Sequence, residues 1–91
     1  MAEVRAGVDQ IDSELIALLA RRFGYMDAAA RIKPDRGRVR DEARKAEVIA
    51  AACAGAAAAR LPVDVIADLW ERLVEASIAY ELDAYDRRAA P

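Results

Sequence analysis

Three observations predict an all-α fold for this chain. An apolar pattern with steps of three and four runs unbroken from about Glu3 to Lys33, the signature of one long amphipathic helix. Alanine is very abundant while glycine and proline number only 4 and 3 in 91 residues, a composition that favours helix throughout. Period-two runs of β-branched and aromatic residues are absent, so no sheet is expected. Ninety-one residues make one domain, 1–91, of a size at which a single hydrophobic core is marginal and a second copy commonly supplies the missing buried surface.

The first helix is expected over residues 3 to 33, stopped by Pro34. Its apolar line reads Val8, Ile11, Leu15, Leu18 or Leu19, then Arg22, Met26, Ala29 and Lys33. Two cations thus stand where leucines belong. They are eleven positions apart, about three turns plus 20°, so both side chains aim the same way and a small anion fits between them. Two uncompensated cations on a buried face are costly and call for an anion nearby, although a long cation at a stripe margin is also a common snorkelling residue. The adjacent Arg21 is left for solvent or the helix flank, and Tyr25 and Asp27 for the rim.

A helix of about 30 residues is roughly 45 Å long, whereas a compact domain of this size has a radius of gyration near 12 Å. The helix must therefore project beyond its own domain and bury its line against another copy, giving an entwined homodimer of three-helix chains. Arg5 lies 17 positions before Arg22, about 25 Å along the same rod, and cannot reach the Arg22 ligand in its own chain. In a crossed dimer it can complete the partner's site; otherwise it is a solvated first-turn arginine beside Asp9.

Residues 34 to 41 form a loop with three arginines, Arg36, Arg38 and Arg40, and a turn at Gly37. Asp41 is placed to cap a second helix running to about Ala54 or a little beyond, with Arg44 on the face of Val48, Ile49 and Ala52. Gly55, four alanines and Arg60 read as its tail. Leu61-Pro62 opens the third helix, whose apolar face is Val63, Ile66, Leu69 or Trp70, Leu73, Val74, Ser77, Ile78 and Glu81. Ser77 and Glu81 interrupt this stripe four residues apart, and the segment from Asp83 to Arg88 looks like a solvated end.

Charge and residue inventory narrow the chemistry. A net charge of −2, with both signs interspersed, is not the basic surface of a nucleic-acid binder. No histidine and one cysteine, Cys53, leave no disulfide framework, histidine acid/base group or ordinary zinc site, so neither metal nor cofactor is expected. Cys53 in its alanine-rich helix reads as a small core residue. The first residues lack a signal-sequence pattern and no uncharged apolar run approaches about 18 residues, so a cytoplasmic location without membrane association is expected.

With these residues in place, the chain from Arg5 to about Tyr85 resembles the all-helical class of chorismate mutases, together with the related isochorismate pyruvate lyases. The resemblance rests on Arg5, Ile11-Asp12-Ser13-Glu14-Leu15-Ile16, Leu18-Leu19-Ala20-Arg21-Arg22, Lys33, Val39-Arg40-Asp41 with Arg44, and Ser77 with a polar residue at 81. It implies a homodimer with two sites, each built by both subunits, for a small dicarboxylate substrate. By position, Arg5 of the other chain and Arg22 would hold the two carboxylates. Lys33 would donate to the ether oxygen whose bond to carbon breaks, and residue 81 would be the second donor. Asp41, Arg44 and Ser77 would line the pocket. Conversion of chorismate to prephenate is a unimolecular rearrangement, so such a site needs only to hold the compact conformer and stabilise negative charge growing on that oxygen.

Two positions depart from the family pattern. Many bacterial members carry Gln where this chain has Glu81, and an ionised Glu opposes the developing oxyanion, so turnover is expected to improve toward acidic pH. Lys45 stands where typical mutases have a Glu that contacts the ring hydroxyl, which points toward the lyase branch, as does the wording Arg21-Arg22-Phe23-Gly24-Tyr25 through Ala29-Ala30-Arg31-Ile32-Lys33. Val39-Arg40-Asp41 and Ser77 favour the mutase. A catalytically silent helical dimer regulating an enzyme of the same pathway is the third reading; Lys45 supports it, and the retained Arg5, Arg22, Lys33 and Arg44 oppose it.

Overall fold

In a computed structural model that describes residues 1–89, the chain is all-helical: α1 spans Ala2–Ile32, α2 Glu42–Ala58 and α3 Val63–Ala89, with a short 3-10 turn, Arg36–Arg38, between α1 and α2. α1 ends where Pro34 requires it. Lys33 caps the helix in an extended conformation (φ −65°, ψ 133°), the geometry proline imposes on its predecessor, while its N–H still reaches the carbonyl of Ala29. The Asp41 carboxylate accepts from the Arg44 N–H at 2.9 Å, the N-cap expected from sequence.

α2 runs on beyond Ala54, as far as Ala58. An isolated glycine does not break a helix flanked by alanines, so the chain continues through Gly55 to Ala58. The actual stop is a Schellman turn: Leu61 N–H bonds the carbonyl of Ala56 and Arg60 N–H that of Ala57, with Arg60 at φ 60°. Glycine is the usual residue at that left-handed position, and its absence hid the helix end. Pro62 then precedes α3 and accepts from the Ile66 N–H.

α3 lies between the C-terminal half of α1 and α2 and packs on both. The Phe23 and Tyr80 rings meet edge to face with centroids 4.9 Å apart, and the Tyr80 hydroxyl donates to Asp27 at 2.9 Å, a bond that raises the tyrosine pKa. Asp27 is thus an interhelical partner, while Tyr25 is exposed as expected. On α3, Trp70 rather than Leu69 turns inward, and Val63 and Leu69 remain exposed. Asp86, expected to be merely solvated, receives a two-pronged bond from Arg36 (2.8 and 3.3 Å) that ties the turn to the end of α3 and lowers the Asp86 pKa.

The buried apolar residues are few and mostly small: Ala30, Val39, Ala56, Val74 and Ala84. Cys53 is only half-buried. Among the described residues nothing packs against the N-terminal half of α1, and Val8, Ile11, Leu15 and Leu18 are each 50–54% exposed. The radius of gyration, 16.0 Å, and the 54 Å long axis reflect that projection. Among the described residues no helix is long and apolar enough to cross a membrane.

Candidate active site

A cavity of about 370 Å³ opens where the three helices and the 3-10 turn meet. α1 contributes Arg22, Met26, Ala29 and Lys33, the very line on which the sequence placed two cations; the turn adds Arg38 and Val39. α2 supplies Asp41, Arg44, Lys45 and Val48, and α3 supplies Val74, Ser77, Ile78 and Glu81. Six of the seven residues singled out from sequence therefore share one cavity. The seventh, Arg5, is exposed on the projecting half of α1 and is not part of it.

Ser77 and Glu81 are both only 4% exposed, so the polar breaks in the α3 stripe face inward and are not a frayed end. Each meets one of the α1 cations. Arg22 Nη1 donates to the Ser77 hydroxyl at 2.5 Å, and that hydroxyl donates to the Leu73 carbonyl one turn back. Lys33 Nζ donates to Glu81 Oε2 at 2.5 Å, an ion pair with the lysine 28% and the glutamate 6% exposed. Lys33 is thus not uncompensated, as the stripe alone implied. Glu81 neutralises Lys33, whereas Arg22 has a neutral partner and keeps its full charge for a ligand.

α2 requires a correction. Arg44 lines the cavity edge but its side chain is largely in water, paired with Glu47 at 3.2 Å. Lys45 is the more enclosed residue, 16% exposed, and donates to Glu71 (2.7 Å) and Glu75 (2.9 Å) across to α3. Those carboxylates, Glu71 foremost, raise its pKa, so it is a permanent cation. Arg40 forks onto Glu75 as well, and Arg40 and Lys45 together hold the Glu75 carboxyl down to about 2. The spacing Lys45, Val48, Ala52, Ala56 was the available signal for this inward face; a lysine beside an arginine masked it.

The arrangement has the chemistry to receive an anion and to offer donors without a nucleophile: Arg22 is a guanidinium with spare N–H groups, Lys33 and Lys45 are held ammonium groups, and the apolar walls come from Met26, Val39, Val48, Val74 and Ile78. The fold and cavity together define a three-helix chain with cations along a long helix facing a serine and a carboxyl on the last helix. The family model of chorismate mutase type II matches residues 4–82, and the chain belongs to that family. No curated protein sequence matches it.

Proposed function

We propose that the chain is a chorismate mutase that converts chorismate to prephenate as a homodimer. The observation that carries this reading is the pairing of Arg22 and Lys33, eleven residues apart on one helix face, with Ser77 and Glu81 around a single cavity. In the mechanism, Arg22 and Arg5 from the second subunit clamp the two carboxylates and select the compact conformer. Lys33 donates to the ether oxygen as its bond lengthens, and a protonated Glu81 is the second donor. Asp41, Arg44 and Ser77 shape the remaining wall.

The dimer is supported by the uncovered apolar face of α1. Val8, Ile11, Leu15 and Leu18 form a continuous stripe longer than a monomer of this size is expected to leave in water. A second copy crossing α1 would bury it and carry Arg5 toward the other cavity.

One observation favours a second reading. Lys45 is fixed in the cavity by two carboxylates, leaving no acidic group at the position where mutases recognise the ring hydroxyl. Isochorismate, with its hydroxyl elsewhere on the ring, does not need that group, and its cleavage to salicylate and pyruvate uses the same conformer selection. Incubation of the purified protein with each substrate separately decides between them. Prephenate from chorismate supports the mutase, salicylate plus pyruvate the lyase. If neither forms and a ring dicarboxylate transition-state mimic gives no thermal stabilisation, the site is silent.

A further inference from the structure

The connection between α1 and α2, residues 33–41, carries three arginines, and their partners differ. Arg36 is bound through two nitrogens to Asp86, and Arg40 through two nitrogens to Glu75, so both are committed to α3. Among the described residues Arg38, between them, has only the Asp35 carboxylate at 3.7 Å, beyond hydrogen-bonding distance, and it lines the cavity. Its backbone is nevertheless fixed. Arg38 N–H bonds the Asp35 carbonyl, the neighbouring Val39 is 4% exposed, and the Asp35 carboxylate sits 3.2 Å from where a side chain on Gly37 would begin. An arginine with a held backbone and free donors at a cavity mouth is built to receive an anion. Asp86 follows Glu81 on α3, so the Arg36 pin holds the turn at the end of α3 that carries Glu81, whose partner Lys33 is already paired.

We propose that Arg38 is a further substrate-binding residue, which contacts a carboxylate of the dianionic ring substrate at the Lys33–Glu81 end of the cavity, with Arg36 as the residue that positions it. The assignment rests on the reading of the cavity as a ring-dicarboxylate site. Arg38 acts on capture of the anion, not on the breaking bond, so its effect belongs in KM.

The test is steady-state kinetics of the full chain with whichever of chorismate or isochorismate it turns over, at low and at raised salt. Arg38→Gln is expected to raise KM roughly three- to tenfold with kcat within about twofold, and to weaken the salt dependence of KM. Arg38→Lys, which keeps the charge but loses the fork, falls between. Arg36→Ala unpins the turn and raises KM by a smaller factor, and the charge-swapped pair Arg36→Asp with Asp86→Arg restores it if Arg36 acts through position. An Arg38→Gln protein with unchanged KM and unchanged salt dependence overturns the assignment while leaving the catalytic reading intact. A wild-type protein that neither turns over nor is stabilised by a ring dicarboxylate overturns both.

Discussion

Glu81→Gln tests the catalytic reading most directly. Glu81 Oε2 lies 2.5 Å from Lys33 Nζ with only 6% of its side chain exposed, so water screens the carboxylate poorly. If the breaking ether oxygen takes its hydrogen bond from Lys33, it sits within roughly 4 Å of that carboxylate. Half an electronic charge developing there is opposed by about 2 kcal/mol at an effective dielectric of about 20. The amide removes this repulsion and offers an N–H donor, while its oxygen can still accept from Lys33. The expected outcome is a rise in kcat of about 30-fold at pH 7.5. Removing the charge of the pair should cost about 1 kcal/mol in stability, or roughly 4–8 °C in Tm for a chain of this length. The assay is substrate loss measured from about pH 5 to 8 for both proteins. Glu81→Ala, which relieves the repulsion but supplies no donor, should fall short of Gln. A folded Glu81→Gln protein whose pH profile and kcat match the wild type refutes a role for this group in the chemistry.

Three further outcomes are expected. Arg60→Gly should stabilise the protein by about 0.5–1 kcal/mol, because Arg60 holds φ 60° in the α2 Schellman turn and glycine relieves the left-handed strain at a smaller entropic cost; chemical denaturation measures it. Leu15→Asp, on the uncovered stripe of α1, should yield a species sedimenting near 9.9 kDa, not twice that mass, and should lose activity together with the dimer. Arg40 and Lys45 depress the Glu75 carboxyl to about 2, so the stability it contributes is present above the ordinary value of 4.5 and is lost as pH falls from there through about 2. Urea midpoints between about pH 5 and 2.5 should therefore fall less steeply for Glu75→Gln than for the wild type.

Helix periodicity made most of the architecture and much of the cavity lining readable. Pro34 and Asp41 fixed one helix end and one helix start because proline geometry and an Asp cap act through the local backbone. Arg22 and Lys33 were legible because a stripe of three-and-four spacing has no reason to contain cations, and Ser77 and Glu81 broke the α3 stripe in the same way. The reading weakened where local signals were ambiguous. The end of α2 depends on a left-handed Arg60, which no residue preference reveals. Lys45 and Arg44 are neighbours on one helix, and only the α3 carboxylates Glu71 and Glu75 decide which turns inward. The role of Arg38 depends on what Arg36 and Arg40 are bound to, which is information about partners about 35 and 50 residues away in the chain.

The charges around the cavity explain why a dianion suits it. Its lining contains five cations, Arg22, Lys33, Arg38, Arg44 and Lys45, and two carboxylates, Asp41 and Glu81. Lys45 is answered from outside the lining by Glu71 and Glu75, which, with Glu81 in the ionised form that pairs with Lys33 before the ligand arrives, leaves four cations against two carboxylates, an excess of two. The contact of Arg44 with Glu47 does not cancel this, since both side chains stand about 70% in water and such a pair is readily exchanged for a ligand. A singly charged ligand would leave net positive charge confined against Met26, Val48 and Ile78, while a ring carrying two carboxylates brings the site to neutrality. Any further cation from a second subunit would then exceed what the ground-state ligand requires. That surplus is useful only if additional negative charge appears during the reaction, as it does on an ether oxygen whose bond to carbon is breaking.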